Sequence, residues 1–393
     1  MMRKEFMTKL THLGNKMPDS VSPPKVLPIY MSSVFSFDDV ETLDAVYAKE
    51  AEGYVYSRMS NPVHDSLAEM MAAIEEGQDA RVYSSGMAAI TMSIMAHVKA
   101  GDHIIADRVL YGGSFQFLKD ELKKLNIEVT FLDFQKDDIE KYFRSNTTLV
   151  YMETISNPLM NVLDIQKYAD MAHSHGTKLI VDNTFATPVI CQPLKLGADI
   201  VVYSATKYIC GHSDVIGGVV VSDKNTMEKI HQTASIYGPT MSPFDAWILI
   251  RSLRTLELRM KQHSENAMKL ATFLEKQPQV RKVYYPGLQS SSTHDIAKET
   301  FFNNLYGGMM SIDLAGGEKA AFDLIRSLES IKFLPSLASF STSMSYPAKT
   351  SHRGMPEEER EKAGITMGLL RISVGLESTQ DLIEEFEKAL KTI

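Results

Sequence analysis

A lysine that follows two hydroxyls and precedes a glycine-rich stretch is placed for covalent chemistry. In Ser204-Ala205-Thr206-Lys207 the amine comes just after the apolar run Ile200-Val201-Val202-Tyr203, and Gly211, Gly217 and Gly218 follow. A free lysine titrates near ~10.4, so imine chemistry needs partial burial beside cationic or electron-poor groups to lower that value. The plain alternative is a solvated surface lysine. A carboxylate ends a second apolar run, Leu179-Ile180-Val181-Asp182, with Asn183-Thr184 behind it. Buried there it must meet a cation or an N–H; a protonated ring nitrogen, a helix cap or a salt bridge would each serve. A third run, Ala80-Arg81-Val82-Tyr83, passes through Ser84-Ser85-Gly86-Met87 into a helical pattern. Free N–H groups at a helix start, approached through a small glycine, suit an anion such as phosphate; an ordinary strand–turn–helix link reads the same way.

Three further segments carry polar groups at strand ends or inside strands. Tyr151-Met152-Glu153 leads to Thr154, Asn157 and Pro158, where the Asn157 amide is poised to donate. Tyr111-Gly112-Gly113 offers a ring that could stack on a flat ligand or pack in the core. Arg371 interrupts the apolar Leu370–Val374, and its fork of donors suits either a structural carboxylate or a substrate carboxylate. His173 and His175, two apart on a helix, face away from each other and cannot share a metal. The 23 methionines read as core filler.

These positions presuppose an open sheet, because in such folds ligands gather at the carboxyl ends of the strands. Strands are expected at Ala80–Tyr83, His103–Asp107, Glu128–Leu132, Leu149–Glu153, Lys178–Asp182, Asp199–Tyr203 and Gly218–Ser222. Helical patterns such as Ser114–Leu125 and Ile165–Ser174 alternate with them, and consecutive apolar positions point to strands covered on both faces of a mostly parallel sheet. Pro243–Glu275 reads as one long helix. Beyond it, Val280–Tyr284, Met309–Leu314 and Leu370–Val374 with helices at Glu318–Leu328 and Asp381–Thr392 predict a second, smaller α/β domain. Ser378 and Asp381 could form a capping box for the last helix. The proline-bearing Met1–Ser60, with Pro18, Pro23, Pro24 and Pro28, is expected to be an extended arm plus a short helix over Val40–Glu52. An arm with so little core should lie on another domain or on a neighbouring subunit.

Composition narrows the function classes. A net charge of −8 over 393 residues leaves no electrostatic footprint for nucleic acid or an anionic membrane. Two cysteines, Cys191 and Cys210, do not make a disulfide framework and stand at no structural-zinc spacing, which suits a reducing compartment. Met1–Ser20 lacks the apolar stretch of a signal peptide and no run approaches 18 apolar residues, so a cytoplasmic protein is expected.

Taken in order, Tyr56-Ser57-Arg58-Met59-Ser60-Asn61-Pro62, Ser85-Gly86-Met87, Tyr111-Gly112-Gly113, Val181-Asp182-Asn183-Thr184, Tyr203-Ser204-Ala205-Thr206-Lys207 and Leu370-Arg371-Ile372-Ser373-Val374-Gly375 resemble the Cys/Met-metabolism family of pyridoxal 5'-phosphate (PLP) enzymes. The resemblance runs from about Pro28 to the C-terminus. It implies the aminotransferase-like fold (fold type I), with a mostly parallel seven-stranded sheet and a smaller C-terminal α/β domain. The implied division is an arm over residues 1–60, a PLP-binding domain over 61–256 and a C-terminal domain over 257–393. Lys207 would carry PLP covalently and later move protons, and Asp182, with Thr184, would keep the ring nitrogen protonated. Ser85, Gly86, Met87, Ser204 and Thr206 would cradle the phosphate. Tyr56 and Arg58 would reach the phosphate in the adjacent subunit, which implies a homodimer commonly paired into a tetramer. Tyr111 would stack on the ring and assist the leaving group, while Asn157, Ser336 and Arg371 would hold the substrate carboxylate.

The activity so implied is γ-elimination of methionine, homocysteine or cystathionine to a 2-oxo acid, ammonia and a thiol. The alternative within the family is γ-replacement, as in cystathionine γ-synthase or O-acetylhomoserine sulfhydrylase; a non-enzymatic PLP-binding regulator is the alternative outside it. Gly113 stands where methionine γ-lyases often carry cysteine, Gln116 where cystathionine γ-lyases carry arginine, and Ser341 where glutamate is frequent. Leu337, in place of the tryptophan of bacterial cystathionine β-lyases, leans toward the γ-acting enzymes.

Overall fold

The β-branched, apolar runs pair into two sheets. The computed structural model describes residues 2–14 and 21–393, with side chains from residue 6 onward; Met1 and 15–20, including Pro18, lie outside the described residues. The larger sheet contains β1 (Asp79–Tyr83), β2 (His103–Asp107), β3 (Glu128–Leu132), β4 (Thr147–Glu153), β5 (Lys178–Asp182), β6 (Ile200–Ser204) and β7 (Gly218–Ser222) in the order β1-β7-β6-β5-β4-β2-β3. The five strands β6, β5, β4, β2 and β3 run parallel to one another, and β7 is antiparallel to both β6 and β1. The seven expected strands are all present, and the central ones are buried at all but one position of β4 and the first position of β5, as two-sided coverage requires.

The smaller sheet is built from β8 (Val280–Tyr284), β9 (Met309–Leu314), β10 (Lys332–Phe333), β11 (Ser343–Ser345) and β12 (Leu369–Ser373), ordered β10-β11-β12-β9-β8. Helix Gly317–Ser327 packs on it through an apolar stripe, and helix Thr379–Leu390 packs in turn on that helix and on Leu256–Leu274. Among the described residues no helix is long and apolar enough to cross a membrane.

Several expectations need correction. The long helix over Pro243–Glu275 is two helices, Pro243–Leu253 and Leu256–Leu274. The Thr255 backbone leaves the helical region (φ −115°, ψ 7°) and its hydroxyl donates to the Ser252 carbonyl, a local bond that competes with the helix ladder. The segment Ser114–Leu125 contains a π-turn, Phe117–Glu121, between short α-helical stretches. Ser378 makes no side-chain cap, and Asp381 is too short to complete the box; the neighbouring Thr379 hydroxyl donates to Asn266 instead. The helix of the arm stops at Tyr47 rather than Glu52. The arm is also less extended than its prolines imply: Met2–His12 is helical, and Leu10 and Leu27 are buried in the main core.

Phe386, on the last helix, is fully buried against the small sheet's core. Replacing it, Phe386→Ala, should destabilise the chain by about 3–5 kcal/mol, read as a lower midpoint of urea unfolding.

Candidate active site

After β6 the chain turns sharply and presents Lys207. The Lys207 N–H donates to the Ser204 carbonyl (3.1 Å), and the Gly211 N–H donates to the Lys207 carbonyl (2.7 Å). Thr206 closes the following loop, its hydroxyl accepting the Gly217 N–H at 3.0 Å. Buried Arg259 braces the turn from the helix Leu256–Leu274, donating to the carbonyls of Tyr208 (2.6 Å), Ile209 (3.2 Å) and Ser252 (3.0 Å). Gly211 must be glycine here: its φ is +74°, and a Cβ would meet the Arg259 guanidinium at 2.1 Å. The helix break at Thr255 belongs to the same construction, since the Arg259 Nε donates to the Thr255 hydroxyl at 3.2 Å.

The Lys207 Nζ lies 3.5 Å from Ser336 Oγ, at the edge of hydrogen-bonding distance. Burial, then the Arg371 guanidinium, lowers the amine below the ordinary lysine range. Arg371 sits in the middle of β12, buried, donating to Asn157 Oδ1 at 2.9 Å and reaching the Ser336 carbonyl at 3.4 Å. No carboxylate pairs with Arg371 among the described residues. Of the two readings that the sequence left open, the structural ion pair is therefore removed.

On the other side, β4 and β5 end together, with Glu153 and Asp182 opposite each other in register. Both carboxyls are buried and both titrate higher than usual, chiefly through burial; for Glu153 the Asp182 charge comes next. The backbone N–H and hydroxyl of Thr184 donate to Asp182 Oδ1 at 3.0 and 2.5 Å. Those two bonds favour charge on Asp182 and leave the proton to Glu153. Thr184 in turn accepts the Ser204 N–H at 2.8 Å, which ties the carboxyl to the start of the lysine turn.

Ser85 caps the helix Gly86–Met95, its hydroxyl accepting the Ala88 N–H at 3.0 Å. The first N–H groups, those of Gly86 and Met87, have no hydrogen-bond partner among the described residues. Gly86 presses on Ser204, where a Cβ would come within 2.6 Å of the serine's Cβ. Beside it, Tyr111 stands half-exposed over Gly113, with Met87 close by, and the Tyr111 N–H donates to Glu153 Oε1 at 2.7 Å. Short contacts thus link these groups into one cluster: Gly86 with Ser204, Ser204 with Thr184 and so with Asp182, Met87 with the Gly113 turn under Tyr111, and Lys207 with Ser204 and Ser336, the Ser336 carbonyl meeting Arg371 and Arg371 meeting Asn157. Tyr56 and Arg58 are not joined to it: Arg58 lies over the Tyr56 ring at 5.4 Å and donates to the Ser235 carbonyl. Sequence reasoning assigned no role to Glu153 or Arg259. The rule that singled out Asp182, a carboxylate ending a buried strand, applied equally to Glu153; Arg259, inside an amphipathic helix, gave no local signal.

A lysine and an aspartate presented from the strand ends of a seven-stranded, mostly parallel sheet, with an anion-ready helix start beside them, define an enzyme of the PLP fold-type-I class. The chain belongs to the family of Cys/Met metabolism PLP-dependent enzymes, which matches over residues 7–391. It is 42% identical to an L-methionine gamma-lyase of Fusobacterium nucleatum subsp. polymorphum, over 93% of each chain. It is 40% identical to a cystathionine gamma-lyase of Bacillus subtilis, over the full length of both. A crystal structure of a putative O-acetylhomoserine (thiol)-lyase from Campylobacter jejuni, carrying a pyridoxyl-lysine phosphate, superimposes with a TM-score of 0.93 at 29% identity, over 98% of this chain and 99% of that one.

The residues present fit PLP. Asp182 spends its internal bonds on Oδ1 and keeps Oδ2 for a donor across the pocket. The unpartnered N–H groups at Gly86 and Met87 provide an anion cradle, and the lysine amine is free of carboxylates among the described residues. Gly86→Ala should push Ser204 aside and crowd that cradle, at a cost of about 1–3 kcal/mol. Titration of the apoprotein with PLP should then show affinity lowered by roughly tenfold or more.

Proposed function

We propose that this chain is a PLP-dependent carbon–sulfur lyase that carries its cofactor on Lys207 and releases a 2-oxo acid, ammonia and a thiol from methionine, homocysteine or cystathionine by γ-elimination. The observation that carries the reading is the half-buried Lys207 amine beside Arg371, with Asp182 held by Thr184 at the neighbouring strand end. Likeness to the methionine and cystathionine γ-lyases supports the choice of reaction.

When bound, PLP supplies an aldehyde for imine formation and a ring that accepts electrons. Arg371, oriented by Asn157, holds the substrate carboxylate, so the bond to the α-hydrogen is set in one direction. Lys207, its basicity tempered by Arg371, takes that proton at Nζ, hands it on, and then takes a second from the β-carbon, whose C–H electrons form the Cβ–Cγ double bond as the bond to sulfur breaks. The Tyr111 phenol, half-exposed at the mouth, delivers a proton to the departing sulfur. Asp182 keeps a negative charge facing the heterocycle, and Gly86, Met87, Ser204 and Thr206 hold the phosphate.

The same reading covers the assembly. Met31, Val34, Val40, Tyr47 and Tyr56 are exposed along the arm, which supports burial of this apolar segment against a second copy. There Tyr56 and Arg58 would serve the partner's cofactor, in a dimer that pairs into a tetramer. The divisions at 60 and 256 follow from this plan, with the second at the first residue of the helix Leu256–Leu274. Both cysteines are free and buried, which supports the cytoplasm as the compartment. Likeness to the C. jejuni enzyme makes γ-replacement the second reading.

Borohydride treatment of the holoenzyme should bleach its colour and leave the pyridoxyl label on the Lys207 peptide by mass spectrometry; Lys207→Ala should take no label. A panel of methionine, homocysteine, cystathionine and O-acetylhomoserine, each with and without added thiol, separates the reactions. Release of 2-oxo acid without thiol is the expected result, and turnover only with thiol would replace the lyase by a γ-replacing enzyme. Arg371→Ala should lower kcat/KM by about 10²-fold or more, mostly through KM.

A further inference from the structure

The two groups that must keep their aim during catalysis, Tyr111 and Asn157, both lie on loops after strands of the large sheet. Loops alone hold side chains less accurately than regular elements do. The Tyr111 backbone is nevertheless fixed from two sides. From below, Glu153 Oε1 accepts its N–H at 2.7 Å. From the C-terminal domain, the turn at Ser351-His352 is pressed onto the next residue: a Cβ on Gly112 would meet the Ser351 carbonyl oxygen at 2.1 Å.

His352 fills the space behind that contact. It is only 4% exposed. Its Nδ1 lies 2.9 Å from the Ser351 hydroxyl, and its ring faces the backbone carbonyls of Leu110 and Asn157 with Arg371 nearby. A neutral imidazole has one acceptor and one donor nitrogen. With Nδ1 taken by Ser351, Nε2 is the nitrogen left to serve the two carbonyls, that of Leu110, immediately before Tyr111, and that of Asn157. The turn itself is anchored, the His352 N–H donating to the Pro347 carbonyl at 3.0 Å. One side chain of the small domain therefore touches both strand-end loops of the large one.

We propose that His352 is a positioning residue that clamps the Tyr111 and Asn157 loops together, so that proton delivery to the leaving sulfur and seating of the substrate carboxylate stay in register. This rests on the roles given above to Tyr111 and Asn157. The prediction is that His352→Ala lowers kcat by about 10–100-fold, with a smaller change in KM, because a small misplacement of an aligned group costs that much. His352→Gln, which keeps an N–H donor, restores a substantial part of the loss. Gly112→Ala, which leaves His352 intact but forces the two segments apart, reproduces the fall in kcat.

Holoenzyme is used throughout, and its absorbance reports whether the cofactor is retained. A kcat of His352→Ala within about twofold of the parent overturns the proposal. So does an equal loss in His352→Ala and His352→Gln accompanied by cofactor release, which marks a merely structural residue. Amide hydrogen exchange at residues 110–112 supplies a readout independent of turnover: faster exchange in His352→Ala than in the parent is expected, and unchanged protection overturns the clamp. If the parent releases no 2-oxo acid, the lyase reading fails, and the exchange comparison alone decides the fate of His352.

Discussion

Two cationic side chains, half-buried Lys207 and buried Arg371, lie close together with no carboxylate touching either among the described residues. Like charges in a poorly solvated pocket disfavour each other's protonated forms, and the amine yields before the guanidinium does. The arrangement is costly for the fold and useful for chemistry, because it leaves a lysine that loses its proton more readily than an ordinary one. Arg371 keeps its charge and meets only neutral oxygens, those of Asn157 and Ser336. It is left as a receptor for an incoming anion.

Maintaining that tension requires scaffolding from both sheets. Strands β4, β5 and β6 deliver Glu153, Asp182 and the lysine turn, and β12 delivers Arg371 from the small domain. The joints between them are short and local. Thr184 links Asp182 to Ser204, and Arg259 clasps the backbone after Lys207. Each is a hydrogen bond to a group that would otherwise be buried and unpaired, so removing either partner costs more than the bond's net value.

Much of this was legible in the residues. The large sheet could be read because its central strands are apolar on consecutive positions and short enough to be told from helices, and the small sheet's three longer strands were found as well, although Arg281 and Lys282 interrupt the first of them. Its two short strands, Lys332–Phe333 and Ser343–Ser345, were missed: one is exposed and the other is mostly serine, so neither carries a hydrophobic pattern. The helix break at Thr255 was hidden because Trp247, Ile250, Leu253 and Leu256 keep a helical period straight through it. What ends the first helix is the set of hydrogen bonds that the Thr255 hydroxyl and Arg259 make to the Ser252 carbonyl, and a hydrophobic pattern does not report polar bonds. The residues gathered at the site were found by strand ends and by family resemblance. Glu153 and Arg259 escaped because they act on backbone rather than on a ligand.

The helix Leu256–Leu274 deserves to be seen as a keystone. Its N-terminal half holds the lysine turn through Arg259, while further along His263 Nδ1 donates to the Val374 carbonyl and Asn266 donates to the carbonyls of Gly375 and Glu377. A hybrid assembled by recombining two relatives at residue 256 would therefore pair one parent's lysine loop with the other's brace. A crossover beyond 274 would keep the loop and its brace from the same ancestor, but it would split the helix from the strand ends it grips at 374–377. Neither seam is free of mismatch, so shuffling within this family is best done with that helix and both its clients inherited as a block.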